Sequence, residues 1–412
     1  MTKRIALSFT DHRFLNSILS KAKIKKSFVK AKKSYLNRVR LATSLFFVGM
    51  GFCFSTWASR IPDIKSALNL SDGVLGSLLF ILPIGQLVAM PFSGKVVTRY
   101  GSRNISILSL LVYSICLISL GMATTILQLA IGLFMFGFIS NFCNIAVNTQ
   151  GVYTQQLFDK PIVGSFHGSW SLAGFFGALV GFLMLTFGLS PFVHFIFAFI
   201  IVFLIVLFNY KFILKNDSKE EEKSSYSFWK NPDITLIWLG VICFFGMASE
   251  GIMFDWSGIY FKEIVKVPGA LVVLGYTTFM ISMASGRFLS DILVAKNGAK
   301  KVLIASGMVI SSGLYMAVLL PSLIPCTIAF MMVGFGVSNV IPIIFNIAGN
   351  NKKVPTGIAL TIVTSISFLG FLIGPPLIGF IAELTSLKYS FAVIGVFGIF
   401  ISFLVSRLKI FK

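Results

Sequence analysis

Charged residues are scarce in this chain of 412 residues, and acidic ones are the scarcest, with 14 Asp and Glu against 35 Lys and Arg. Together they make up 12% of the chain, whereas a water-soluble protein carries roughly a quarter. Hydrophobic residues make up 56%, and 44 residues are Phe, more than a protein can keep away from water in a soluble fold. The shortage of charge therefore argues against a soluble globular protein and predicts a protein that crosses a membrane many times.

Other missing patterns exclude further classes of protein. The five cysteines lie singly within apolar runs, a pattern typical of buried core residues and not of disulfides or metal ligands. No G-x-x-x-x-G-K-[ST] sequence and no catalytic cluster is present, so we expect neither an enzyme nor an ATP-driven pump, and no cofactor or metal. We attribute the net charge of +21 to membrane orientation and expect no nucleic-acid partner.

Twelve apolar runs are long enough to cross a bilayer, since a spanning helix needs about 20 predominantly apolar residues. They predict helices at roughly 41–60, 73–94, 104–122, 125–150, 164–188, 191–211, 233–260, 270–294, 301–320, 323–349, 356–383 and 387–407. The sequence thus predicts an all-α membrane protein with four parts. These are a basic cytoplasmic tail at 1–40, a six-helix half at 41–211, a cytoplasmic linker at 212–232, and a six-helix half with a short cytoplasmic tail at 233–412.

The basic residues predict the orientation, because Lys and Arg concentrate in cytoplasmic segments. With the N-terminus in the cytoplasm, 30 basic residues fall on the inner side and five in outer loops. We therefore expect an integral membrane protein with both termini in the cytoplasm. Three interpretations of the tail stay open: a segment that lies on anionic lipid, a disordered arm, or a start codon assigned too far upstream.

An internal repeat relates the two halves. Four patterns recur in the same order at offsets of 196 to 199 residues: Ser140–Asn141 with Asn148 as Ser338–Asn339 with Asn346, Arg99-x-Gly101-x-Arg103 as Lys296-x-Gly298-x-Lys300, Trp57 as Trp256, and Ser171-x-x-Gly174 as Ser367-x-x-Gly370. Parallel six-helix repeats of this kind are typical of transporters with a substrate site near the membrane midplane, between the halves.

The loop after the second predicted span resembles the motif between helices two and three of the major facilitator superfamily. Four residues match the motif: Gly94, Arg99, Gly101 and Arg103. Thr98 stands where the motif normally has an acidic residue. A second copy, from Gly286, Arg287 and Asp291 to Gly298, keeps an acidic residue. Further stretches resemble a bacterial subgroup that includes the rhizopine-locus (Mos-type) membrane protein and, more distantly, fucose permease: Asn148–Gly151, Ser165–His167, Glu250–Gly251, Asp255–Ser257 and Gly374–Gly379.

The resemblance implies two six-helix halves that rock around a central site. The basic loops at 95–103 and 287–301 would then latch the inward-closed state against neighbouring helix ends. It also implies a monomer in the bacterial inner membrane that binds a small-molecule substrate.

Asparagines form two stripes in the predicted spans. Asn141, Asn144 and Asn148 share one face of span four, and Asn339 and Asn346 do so in span ten. We interpret them as amides that bind hydroxyl-rich substrate across the cavity; the alternative is hydrogen bonding that only holds the bundle together. Gln86 in span two is a weaker candidate for the same site.

Two acids, Glu250 and Asp255, lie well inside an apolar run of span seven. No basic residue lies within a helical turn of Glu250 in the sequence, and a desolvated carboxyl group without a cationic partner favours its neutral form. We expect Glu250 to carry a coupling proton and Asp255 to have a lesser role. The alternative for both is an ion pair with a base such as Lys262.

Trp57 and Trp256 fit two roles equally, stacking on a sugar ring or anchoring spans at the membrane interface. The sequence predicts a secondary transporter of a small polar solute, such as a sugar or a sugar derivative, driven by proton symport. The alternatives are an efflux antiporter for amphipathic compounds and a transporter-like receptor that does not transport.

Overall fold

The computed structural model describes residues 10–158, 162–215, 233–349, 351, 353–354, 356–408 and 410. Within them the chain forms 13 α-helices: α1 Thr10–Ala58, α2 Ile61–Ala67, α3 Asp72–Tyr100, α4 Ser102–Gly121, α5 Ile126–Gln155, α6 Val163–Thr186, α7 Pro191–Asn209, α8 Ile234–Glu263, α9 Leu274–Asn297, α10 Ala299–Leu319, α11 Leu323–Gly349, α12 Thr356–Leu384 and α13 Leu387–Arg407. In the described part of the chain, twelve helical segments are long and apolar enough to cross a membrane. The prediction of twelve spans in an all-α fold is confirmed.

The basic tail continues the first span as one helix that begins at Thr10. No Gly or Pro occurs between Thr10 and Phe47, so no helix-breaking residue separates the basic tail from the first span within the 49-residue helix α1. The interpretation of the tail as an unstructured arm was wrong for residues 10–40. Residues 1–9 and the side chains of 10–32 lie outside the described residues, and lipid binding by the tail stays a prediction.

Helices α1 to α7 form the first half of the bundle and α8 to α13 the second. The predicted linker lies outside the described residues from 216 to 232. We call the end of the bundle that carries this linker the linker end, and the opposite end, at residues 59–72 and 263–274, the far end. The five cysteines are all buried and unpaired, as expected of core residues.

The repeat has a register of 197 residues in the structure. Gly101 and Gly298, 197 apart, link α3 to α4 and α9 to α10 with φ of 87° and 79°, a conformation that glycine adopts without strain. In α5 and α11, Gly137 packs on the backbone carbonyl of Leu82 and Gly334 on that of Phe279, again 197 apart. Two pairs of contacts therefore fix the same register.

The two halves are packed tightly at the far end. A Cβ at Gly76 of α3 would lie 2.9 Å from the Cα of Gly379 in α12, so only glycines allow this crossing. The backbone N–H of Gly73 donates to Glu383 Oε2 at 2.8 Å. Lys65 pairs with Asp72 of its own half at 2.5 Å and with Glu263 of the other half.

The linker-end half of α3 is separate from the second half of the protein. Leu87, Val88, Met90 and Phe92 are all exposed there, and they are spread over about 200° of the helix circumference. A helix that faced only lipid on one side and protein on the other would expose a narrower arc. The bundle is therefore closed at the far end and open on this side of the linker end.

Candidate functional site

An ion pair lies at mid-depth between the two halves. Arg287 Nη2 of α9 donates to Glu250 Oε1 of α8 at 3.1 Å, and Arg287 Nη1 donates to Ser171 Oγ of α6 at 2.5 Å. Glu250 is 16 residues from the start of α8, and Arg287 is ten residues, or about 15 Å, from the end of α9. The Ser171 contact joins the first half of the protein to the second.

The expectation that Glu250 has no cationic partner was wrong. Its partner comes from the neighbouring helix, at a separation of 37 residues that no inspection of local sequence reveals. The prediction holds for one of the two carboxylate oxygens, because Glu250 Oε2 is buried and has no hydrogen-bond partner. The carboxylate is therefore half satisfied.

Arg287 was predicted to belong to a loop motif, and the structure corrects this. It lies nearly three helical turns inside α9, at the centre of the bundle. Its neighbour Gly286 packs against Ser338 of α11, where a side chain would overlap the serine, so this glycine serves helix contact. The side chain of Asp291 lies outside the described residues.

An aromatic cluster lies beside the ion pair. The Phe254 ring, one helical turn beyond Glu250, contacts Phe54 of α1 with ring centroids 5.2 Å apart, edge to face. Trp170, next to Ser171 in α6, lies 6.2 Å from Phe54 and 6.3 Å from Phe254. Sequence reasoning missed this cluster, although Trp170 lies within the polar stretch before Ser171 that could have drawn attention to it.

His167 lies one turn before Ser171 towards the linker end. It is exposed and its ring is edge-on to Phe47 at 5.3 Å. The residue before α6 is Ile162, so His167 does not cap this helix. The ion pair thus has aromatic rings towards the far end and an accessible imidazole towards the linker end.

The α5 asparagines face the open side. Asn144 is exposed, although it lies roughly 140° around α5 from Ile131, the middle of the lipid-facing row Leu127, Ile131 and Met135. Asn148 Nδ2 donates to Asn144 Oδ1 at 2.5 Å. Asn141 is half-buried one turn deeper, and its Oδ1 has no partner. Gln86 Nε2 donates to Ser140 Oγ at 3.0 Å beside this row.

The matching stripe in α11 does not face the same cavity. The predicted offset of 198 differs by one residue from the structural register of 197, and one residue rotates a helix position by 100°. Asn141 therefore corresponds to Ser338. Asn339 is buried and borders a crevice of about 340 Å³ between α9, α10 and α11 of the second half. Asn346 is exposed on the same face as Ile328, which corresponds to lipid-facing Ile131.

We predict that Asn141→Ala weakens binding of the transported solute and that Asn339→Ala does not. Loss of one hydrogen bond to a solute hydroxyl costs roughly 1 kcal/mol or more, which is at least about a fivefold loss in affinity. Ligand titration of the two purified variants measures the difference. Equal losses in both would contradict the register of 197 as a guide to the site.

The two tryptophans are fully buried and lie inside the packed bundle. Trp57 and Trp256 are 1% and 0% exposed, and neither indole N–H has a hydrogen-bond partner. This burial removes the role of a membrane-interface anchor. It also prevents stacking on a solute in this closed arrangement of the far end.

Asp255 is buried about 7.5 Å further along α8 than Glu250. Within the described part of the chain it has no hydrogen-bond partner. The alternative pairing with Lys262 was wrong, because Lys262 Nζ donates to Pro62 O at 3.2 Å and to Ser66 Oγ across the far end. Lys262 therefore helps to close the far end.

The first loop motif lies at the linker end as predicted. Arg103 Nη2 donates to the carbonyl of Tyr210 at the end of α7 at 3.0 Å, within the same half. Arg99 stacks over Tyr100, and a Cβ at Gly94 would touch nothing within 4 Å. In this state the loop contacts a helix end of its own half, and a latch between the halves stays a prediction.

Comparison with known proteins agrees with this architecture. Residues 41–356 match the family model of the Major Facilitator Superfamily. The chain belongs to the major facilitator superfamily. It is 31% identical over 356 residues to an uncharacterized transporter of this superfamily from Yersinia pestis, covering 86% of this chain and 92% of the relative. It is 27% identical to the membrane protein MosC of Rhizobium meliloti, covering 87% and 86%, so the resemblance to the Mos-type subgroup is confirmed.

Solved structures show the same superfamily fold. A variant of the nucleoside transporter NupG matches with a TM-score of 0.73 at 14% identity, and the match covers 92% of this chain and 100% of the NupG chain. A bacterial homolog of the human lysosomal transporter Spinster, inward-facing and occupied, matches with a TM-score of 0.70 at 15% identity, covering 90% and 97%. The fold has two pseudo-symmetric halves of six spans, and the family model and the relatives show that this superfamily member is a membrane transporter and not an enzyme.

Proposed function

We propose that this transporter moves a small polar solute, such as a sugar or a sugar derivative, by symport with a proton. The observation that carries the proposal is the position of Glu250, a buried carboxylate at mid-depth whose partner Arg287 also contacts the opposite half. A proton that binds this carboxylate weakens its attraction for Arg287. Protonation and the contact between the halves are thereby linked.

The proposed cycle is alternating access, in which the described arrangement is the inward-facing state. Far-end contacts of Lys65, Lys262, Gly76 and Gly379 close the site on one side. We place the linker end in the cytoplasm on the basis of the basic residues. The monomeric state and the domain boundaries at 41–211 and 233–412 stay predictions.

The test of this function begins with a thermal-shift screen of the purified protein against sugars, polyols, amino acids and drugs. A solute that binds the folded state raises the melting temperature by mass action. Each stabilising solute is then added outside proteoliposomes that contain a pH-sensitive dye. Symport predicts acidification of the lumen that depends on the solute, and solute-dependent alkalinisation would instead show antiport.

An efflux antiporter for amphipathic compounds is the second candidate, favoured by the ring cluster of Phe54, Trp170 and Phe254. Aromatic faces bind flat apolar compounds as well as sugar rings. The direction of proton movement separates the two candidates. Binding without any flux of solute or proton would favour a receptor.

We predict that Lys266→Cys reacts with a membrane-impermeant maleimide in intact cells and that Lys215→Cys reacts only after permeabilisation. Both positions are exposed, and they lie at the far end and the linker end. The five native cysteines are buried and give little background. Labelling of Lys215→Cys in intact cells would reverse the proposed orientation.

A further inference from the structure

Arg60 and Arg287 both have side chains that lie between helices of the bundle, and their surroundings differ. Arg60 at the far end is 2% exposed in its side chain and donates through three nitrogens, to His194 Nδ1, Asp63 Oδ2 and Leu189 O. Arg287 at mid-depth is 23% exposed and donates through two, to Glu250 and Ser171. Arg60 is therefore a packed structural arginine, whereas Arg287 has accessible surface in the middle of the membrane.

The pair between Arg287 and Glu250 is an incomplete match of partners. A guanidinium group pairs best with a carboxylate through two parallel hydrogen bonds. Here a single bond of 3.1 Å joins them, and Glu250 Oε2 is buried without a partner. A cation within a span is costly and tends to mark a substrate pathway. Glu250 thus holds Arg287 without using its full capacity.

We propose that Arg287 binds a carboxylate group of the transported solute, and that Glu250 occupies its place when the solute is absent. This inference rests on the proposed function, because it assigns the solute of that site to a chemical class. The solute carboxylate takes both terminal nitrogens of Arg287 and displaces the single bond to Glu250. Ser171 lies at the same guanidinium group, so the solute binds where the two halves meet.

The surroundings of Arg287 favour a ring-sized monocarboxylate. Trp170, the residue before Ser171, is half-buried and belongs to the aromatic cluster with Phe54 and Phe254 beside the ion pair. Glu250 stays within reach and its negative charge repels an anion in this poorly solvated site, about twice as strongly when the anion carries two charges, as phosphate can. A singly charged carboxylate on a sugar or aromatic ring meets the cation of Arg287, and the aromatic cluster beside the ion pair offers apolar surface to the ring. Acidic sugars fit both the ring and the charge.

The experiment compares matched acid and neutral probes on the purified full chain at pH 7: D-glucuronate with D-glucose, benzoate with benzamide, and inorganic phosphate alone. Thermal-shift titration gives the affinity of each. We expect the acid of at least one pair to bind at least about tenfold more tightly than its neutral partner. Glu250→Gln is expected to bind that acid several-fold more tightly than the parent, because the competing charge is gone.

The decisive variant is Glu250→Gln with Arg287→Gln, since it leaves no unpaired charge and differs from Glu250→Gln only in the guanidinium. We expect it to lose acid binding by about tenfold or more and to keep its elution volume as a folded protein. The control is Arg407→Gln, which removes one positive charge as Arg287→Gln does, but at an exposed position in the last turn of α13. This variant is expected to bind the acid like the parent.

Four outcomes would overturn the proposal: neutral partners that bind as tightly as the acids, phosphate as the only anion that binds, a panel in which no acid binds, or acid binding that survives loss of Arg287. Failure of the proposed function looks different. Acid binding without solute-driven proton flux would refute symport and keep the carboxylate site. Proton flux that is driven by a neutral solute and is unaffected by Arg287→Gln would refute the carboxylate site and keep symport.

Discussion

Glu250→Gln is expected to abolish proton-driven accumulation of the solute while leaving counterflow exchange intact. The glutamine has the shape of the protonated acid, and its Oε1 can still accept the hydrogen bond from Arg287 Nη2. It cannot bind or release a proton. A one-unit pH gradient supports about tenfold accumulation at one proton per solute, and in this variant accumulation is expected to fall to passive equilibration. Gradient-driven uptake and counterflow in proteoliposomes measure the two activities separately.

Asp255→Asn is the matched control for this result, because it makes the same chemical change on the same helix. Asp255 lies about 7.5 Å nearer the far end and has no contact with Arg287 among the described residues, so the variant is expected to retain accumulation. If Asp255→Asn lost accumulation and Glu250→Gln kept it, the proton-coupling acid would be Asp255. If both accumulated the solute normally, coupling through α8 would be excluded.

Gly76→Leu is expected to reduce transport by about two orders of magnitude by preventing closure of the far end. A Cβ at this position would lie 2.9 Å from Gly379 Cα and 3.0 Å from the carbonyl oxygen of Pro375, so α3 and α12 would have to separate. Overpacking against backbone costs about 3 kcal/mol, which shifts a two-state equilibrium by about a hundredfold. The site would stay open to the far side.

Maleimide labelling of Ser66→Cys reports this state, because Ser66 receives the Lys262 hydrogen bond at the far end. Its labelling rate is expected to rise in the Gly76→Leu background together with the loss of transport. Ser77→Leu places the same leucine side chain one position further on, at an exposed site, and is expected to transport like the parent. Normal transport by Gly76→Leu would show that the glycine crossing is not part of the cycle.

The partner of Glu250 shows why parts of the site could not be predicted. An acid within an apolar run is visible in the sequence, and so is its cost, which is why Glu250 was singled out. The partner depends on which face of α9 turns towards α8. Helix rotation is set by close contacts such as Gly286 against Ser338, and these form only when the helices pack. Arg287 was therefore identified as a residue of interest but assigned to the wrong place.

The asparagine stripes show the same limit in the register of the repeat. A similar pair of residues recurs in α5 and α11, yet the true alignment differs by one position and rotates Asn339 out of the cavity row. An alignment by residue type pairs the chemically similar Ser–Asn positions. The structure instead superimposes the glycines at which α5 packs on α3 and α11 packs on α9. One residue is a small error in a sequence and a rotation of 100° in a helix.

The sequence by itself determined that the protein lies in a lipid bilayer, how many times it crosses it, that its two halves are duplicated, and which superfamily it belongs to. The bilayer requires every spanning segment to be long and apolar, whatever its neighbours are, so these features are visible in the sequence. Only the tertiary structure decided which end is closed, that Trp57 and Trp256 are buried, and that Arg287 joins Glu250 to Ser171 between the halves. These features depend on how far each helix is rotated and how closely it approaches its neighbours. In a membrane, where lipid and core are equally apolar, hydropathy carries little information about either.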